Sequence, residues 1–127
     1  MIRRRPILMA ALGLAALAGW RVASTVEPGV VAALRRAVGP DASARAVGRA
    51  YLAAHPAEAD LGLLARRLAA EPATARALAV ASADPAALGQ ALAQAIRTDF
   101  LARRMVKLDG WLLARTEARL CALACLA

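Results

Sequence analysis

The sequence predicts an all-α fold, a small bundle of five or six short helices with one short hairpin or loop near residues 105–113. Three observations lead there. Alanine, the strongest helix former, dominates the composition. Pro and Gly cut residues 25–127 into segments of helical length, and within each one the large apolar residues recur three or four apart. Only near 105–113 does the period drop to an alternation, centred on Asp109-Gly110, a dipeptide suited to a tight hairpin turn.

The elements follow in order. Pro28 suits a first helical position, and Val30, Val31, Leu34 and Val38 form a stripe that ends at Gly39-Pro40. Asp41 is placed to cap a second helix, which carries Val47, Tyr51 and Ala54 on one face until His55-Pro56. Pro56 is expected to open a third, with Glu58 in its favourable first turn and Leu61, Leu64 and Leu68 at helical spacing. Glu71-Pro72 breaks the chain before a short helix from Ala73 to Ala81. Asp84-Pro85 then starts the longest helix, with Leu88, Leu92, Ile96 and Phe100 stacked four apart. After the hairpin, Thr116 is expected to cap a closing helix through Glu117, Leu120, Leu123 and Leu126.

Ahead of the bundle stands a different kind of segment. MIRRRPILMAALGLAALAGWRVAS has a cationic start (Arg3, Arg4, Arg5), an uncharged run of fifteen residues to Trp20, and small residues at its end. That is the layout of a signal or hydrophobic helix directing export. Residues 1–24 are accordingly read as the leader and 25–127 as a single helical domain. Cleavage after Ala18 or after Ser24 satisfies the need for small side chains before the cut. Retention as a membrane anchor is the alternative, although a spanning helix needs about 20 apolar residues.

Arg4 and Arg5 are followed by Pro6, Ile7 and Leu8, giving Arg-Arg-x-apolar-apolar ahead of an Ala- and Gly-rich run. This resembles a bacterial twin-arginine (Tat) signal. It departs from that pattern at Arg3, where Ser or Thr is usual, and at Ile7, where Phe is usual. A Sec signal also begins with basic residues and remains the alternative route.

Composition narrows the remaining choices. The net charge of +8 falls to +4 beyond Ser24, where thirteen basic side chains face nine acidic ones. Arg outnumbers Lys sixteen to one, with Lys107 the single lysine, as a GC-rich genome would produce. Aromatics make up 3% of the chain, so bases have little to stack on and nucleic acid is not expected as a partner. The pairs Arg35-Arg36, Arg66-Arg67 and Arg103-Arg104 read as solvated helix faces.

No catalytic constellation or cofactor motif appears. Cys121 and Cys125 stand four apart on the last helix, a spacing of about 5–6 Å between Cβ atoms that is too wide for an unstrained disulfide. They are weak candidates for gripping a metal, and the expected role is two small side chains facing the core. His55 is expected to satisfy carbonyls at a helix end rather than to act in catalysis. Trp111 is expected to plug the core where the hairpin folds back on the long helix. In the alternative, Trp111 and Leu112 dock on another protein.

Leader type, size and Ala-rich helical character together are similar to those of the small subunits of periplasmic flavin-dependent dehydrogenases of the gluconate and sorbitol type. The resemblance carries over no site residue. It implies a non-catalytic accessory subunit, in the bacterial periplasm or on the periplasmic face of the inner membrane, bound to a larger exported dehydrogenase. A membrane-anchored structural protein and a thiol or metal carrier using Cys121 and Cys125 are the alternatives.

Overall fold

Helix starts and stops in this chain follow its capping chemistry, and they lay out the bundle. The computed structural model describes residues 26–126, so the expected leader, with Arg4 and Arg5, lies outside the described residues. Among these there are six α-helices and one two-stranded antiparallel sheet. Helix α1 (Pro28–Val38) has Pro at its start and stops at Gly39, whose φ of +72° suits a residue without a side chain. Helix α2 (Ala42–Ala54) is capped as expected by Asp41, whose carboxylate accepts from the Ser43 N–H at 3.0 Å.

The third helix begins later than the sequence suggested. Pro56–Glu58 forms only a 3₁₀ turn, and α3 (Leu61–Ala70) starts after Asp60, whose side chain accepts from the Leu63 N–H at 2.8 Å. Asp60 offers a true capping carboxylate where His55 does not, so the helix nucleates there. Helix α4 (Pro72–Ala83) is somewhat longer than expected, and α5 (Leu88–Leu101) follows a 3₁₀ turn at Pro85–Ala87 capped by Asp84.

α5 closes in a Schellman turn. The Arg104 N–H donates to the Asp99 carbonyl and the Arg103 N–H to that of Phe100, with Arg103 left-handed at φ +58°. That turn delivers the chain into strand β1 (Met105–Leu108), which pairs with β2 (Trp111–Ala114) in the register Val106–Leu113 and Leu108–Trp111. Asp109 and Gly110 both take positive φ, as the tight hairpin turn requires.

Helix α6 (Arg115–Cys125) is the centre of the molecule. It packs against α1, α2, α3, α5 and both strands, while α4 lies on α3 and α5. Its burial runs nearly all round, from Thr116 and Ala118 through Leu120 to Leu123, as expected of a helix enclosed by others. Leu34, Tyr51, Leu64, Leu68 and Leu92 supply the large side chains that surround it in one contiguous core. None of the described helices is long and apolar enough to cross a membrane.

α2 crosses α6 closely at Gly48. A Cβ there would run into the Cys121 carbonyl and come within 2.6 Å of Cys125 Sγ. Alanine-rich faces let the helices approach, and at this crossing only glycine fits.

Two expectations are corrected by this packing. The α5 stripe turns away from its last member. Leu88, Leu92, Ala95 and Asp99 are buried, whereas Phe100 is exposed, because 3.6-residue geometry drifts off a strict spacing of four. Thr116 does not cap α6; Ala114 holds the cap position and contributes no side-chain bond. The cap comes instead from Asp99 of α5, whose Oδ2 accepts from the Thr116 N–H at 2.6 Å.

Candidate functional site

Charged side chains gather in one place that the chain's local patterns did not reveal, a buried network on the inner face of α6. Arg119 is 9% exposed and its Nε donates to Tyr51 Oη and to Glu58 Oε1, each at 3.1 Å. Tyr51 in turn donates its hydroxyl to Glu58 Oε2 at 2.8 Å. Arg67 reaches the same carboxylate at 3.3 Å from the solvent side. Glu71, at the junction of α3 and α4, takes Arg115 at 2.7 Å and Arg119 at 3.5 Å.

The first-turn role expected of Glu58 is thereby corrected. It is buried at 6% exposure, turned inward because the 3₁₀ turn aims it at Arg119. Burial alone would raise its pKa. The Tyr51 hydrogen bond and the charges of Arg119 and Arg67 outweigh that and hold it below the usual glutamate value. Burial pushes the Tyr51 phenol up, so it stays protonated and keeps its hydrogen bond to Glu58. His55 stacks on the Tyr51 ring with centroids 4.3 Å apart, and its Nδ1 lies 3.1 Å from the Tyr51 carbonyl, the helix-end role expected of it.

A phenol, a carboxylate and a guanidinium form a capable acid–base set. Here they spend their donors and acceptors on one another, and Tyr51 is only 1% exposed. The arrangement locks α2, the 58 turn and the α3–α4 junction onto the central helix. Its members lie on four separate elements and the α3–α4 junction, so no spacing in the sequence points to it. The only hint was an arginine, Arg119, among apolar neighbours on the last helix.

The expected site residues fall elsewhere. Cys121 is buried and Cys125 half-buried, with the Cys125 thiol donating to the Arg45 carbonyl at 3.4 Å. Burial, with Glu117 nearby, pushes the Cys121 thiol up to about 11. No group of three or more His, Cys, Asp or Glu that could hold a metal occurs among the described residues.

The core role expected of Trp111 is corrected outright. Its side chain is 74% exposed and Leu112 is 57% exposed. The register explains this. Leu112 pairs with Lys107 on the outer face, and Trp111, although it shares a face with its buried partner Leu108, sits beside the turn at the tip of the ribbon, where it borders an open groove over α2 and is not enclosed. Leu108 fills the place that the larger residue was expected to take. Between the hairpin and α2 lies an open groove of about 450 Å³, floored by Ala46, Val47 and Ala50 and walled by Trp111 and Leu113.

Compared with protein-family models, curated proteins and solved structures, the chain finds no match.

Proposed function

We propose that the chain is an exported, non-catalytic accessory subunit that binds a larger periplasmic or membrane-bound oxidoreductase through its hairpin. The observation that carries this reading is the exposure of Trp111 and Leu112 at the tip of a braced ribbon. An indole so exposed has few of its own chain's atoms around it, and burying it against another protein recovers the apolar contact that the fold leaves unused. The hairpin is held at its base by Asp99 and Arg104, so it offers a preorganised anchor rather than a loop to be ordered on binding. The oxidoreductase as partner, and the periplasm as location, rest on the Tat-like leader and the resemblance that it brings.

The test is affinity purification of the tagged chain from membranes and periplasm of the native cell. A stoichiometric large exported redox subunit is expected. Trp111→Ala and Leu112→Asp should each release it while leaving the accessory chain folded. Isolation of the wild-type chain alone from both fractions overturns the proposal.

A further inference from the structure

On the other flank of α2, opposite the Trp111 groove, the fold brings together arginines that are distant in sequence. Arg35 and Arg36 from the end of α1 meet Arg45 of α2 around a groove of about 520 Å³ closed by Gly39 and Pro40. No acidic side chain lines this groove, and among the described residues none of the three arginines makes an ion pair. Arg49, one turn beyond Arg45, is exposed and likewise unpaired. Arg67, Arg104, Arg115 and Arg119 all find carboxylates, whereas Asp41, one turn before Arg45, spends its carboxylate on the Ser43 N–H. Like charges converging without a counter-charge repel one another, and that repulsion is relieved when an anionic surface covers them.

Between the two grooves runs the outer face of α2. Ala42, Ala46 and Ala53 are exposed there on one side of the helix with Arg49 among them, so small side chains flank one more guanidinium on the same face. The basic groove and the Trp111 groove thus lie on either side of one helix, roughly 10 Å apart. We infer that the outer face of α2 and its two flanking grooves form a single docking surface for a protein partner that presents an apolar side chain beside a cluster of Asp or Glu carboxylates. The apolar group enters the slot between Ala46, Ala50 and Trp111, and the carboxylates meet the forks of Arg35, Arg36 and Arg45. A protein is favoured over a lipid surface because the arginines and the apolar slot line two grooves, concave sites that receive protruding side chains rather than a plane of headgroups. This inference rests on the accessory-subunit reading and says which chemistry the larger subunit must offer.

The experiment uses the complex of full-length protein and its large subunit. In Arg35→Lys/Arg36→Lys/Arg45→Lys, treatment with a carbodiimide joins a lysine amine to an adjacent carboxylate with loss of water. Cross-links from positions 35, 36 or 45 to Asp or Glu of the large subunit are expected. Arg35→Glu/Arg36→Glu/Arg45→Glu should weaken the wild-type affinity by about thirtyfold or more, and the wild-type complex should loosen as salt rises. Among the described residues the three side chains are exposed and unpaired, so the reversed variant should keep the wild-type circular dichroism, with a small fall in melting temperature from placing Glu in the last turn of α1. If its fold is disturbed, the cross-links and the wild-type salt dependence decide. A complex that survives charge reversal and high salt, yet dissociates on Trp111→Ala, overturns this inference and leaves the accessory-subunit reading standing. Binding of the free chain to phosphatidylglycerol vesicles but not phosphatidylcholine vesicles, abolished by charge reversal, with no cross-link to the large subunit, assigns the arginines to lipid and also overturns it. Failure to recover any large subunit removes both.

Discussion

Asp99 caps a helix to which it does not belong. One oxygen of its carboxylate accepts from the Thr116 N–H at 2.6 Å and the other from Arg104 Nε at 3.0 Å, so one side chain fixes both ends of the hairpin and the start of α6. Asp99→Ala removes the cap and leaves a buried N–H without a partner, at a cost of about 2–4 kcal/mol. Asp99→Asn keeps a carbonyl for Thr116 and should cost about half as much. Urea midpoints at unchanged slope measure both.

The Glu58–Arg119 pair should be sensitive to truncation and to acid. Arg119→Met takes from the buried Glu58 carboxylate one of its two cations, leaving it Arg67 and the Tyr51 hydroxyl, and should destabilise by about 2–3 kcal/mol, while Glu58→Gln combined with Arg119→Met should cost less than the two single changes added together. Because folding lowers the Glu58 pKa, its contribution is present above the ordinary glutamate value of 4.5 and is lost as pH falls below it toward the folded value. Tyr51 has the opposite sign. Its raised pKa gives a contribution present below pH 10.0 and lost as the pH climbs above it. Melting temperature against pH, in wild type and Glu58→Gln, should show the acid limb flattened in the variant.

Much of the bundle was legible because it depends on local rules. Pro28, Asp41, Asp84 and Asp109-Gly110 act within a few residues of themselves, and each marks the boundary or turn expected of it. What could not be read is what depends on distant partners. The Thr116 cap comes from seventeen residues away. Arg119 meets Glu58 across sixty-one residues, so a carboxylate that suited a solvated first turn became the centre of a buried network. Trp111 failed for a related reason. Alternation in a two-stranded ribbon says which residues share a face, but the docking of helices beneath decides how far along that face burial extends.

Two glycines should respond in opposite directions to the same change. Gly48→Ala places a methyl against the Cys121 carbonyl and the Cys125 thiol, and should destabilise by about 1–3 kcal/mol despite the better helix propensity of alanine. At Gly89, in α5, an added methyl would meet nothing within 4 Å, so Gly89→Ala should gain about 0.5–1 kcal/mol. Thermal melts of the two variants, side by side, test the α2–α6 crossing directly.

The two thiols should differ in reactivity although they lie one turn apart. Burial pushes the Cys121 pKa from 9.0 to about 11, so at pH 8 its thiolate fraction is about a hundredfold below that of an ordinary thiol. Cys125 is half-buried and should be alkylated first. Mass spectrometry of iodoacetamide-treated native protein should find one adduct, at Cys125, before a second appears. Equal labelling rates would mean that the end of α6 opens readily.

Trp111→Ala separates stability from association. A tryptophan in a core costs about 3–5 kcal/mol on truncation to alanine, enough to unfold much of so small a domain. At 74% exposure Trp111 has little packing to lose, so the isolated variant should melt within a degree or two of the wild type. The same change removes a wall of the α2 groove and the largest apolar group at the hairpin tip. Affinity for the proposed larger subunit should therefore fall by about 2 kcal/mol or more, roughly thirtyfold, as for a central interface anchor. Calorimetry on the isolated chain and titration against the purified partner read the two effects separately. A large fall in melting temperature would mean that the indole supports the fold, and unchanged affinity would move the contact surface away from the hairpin.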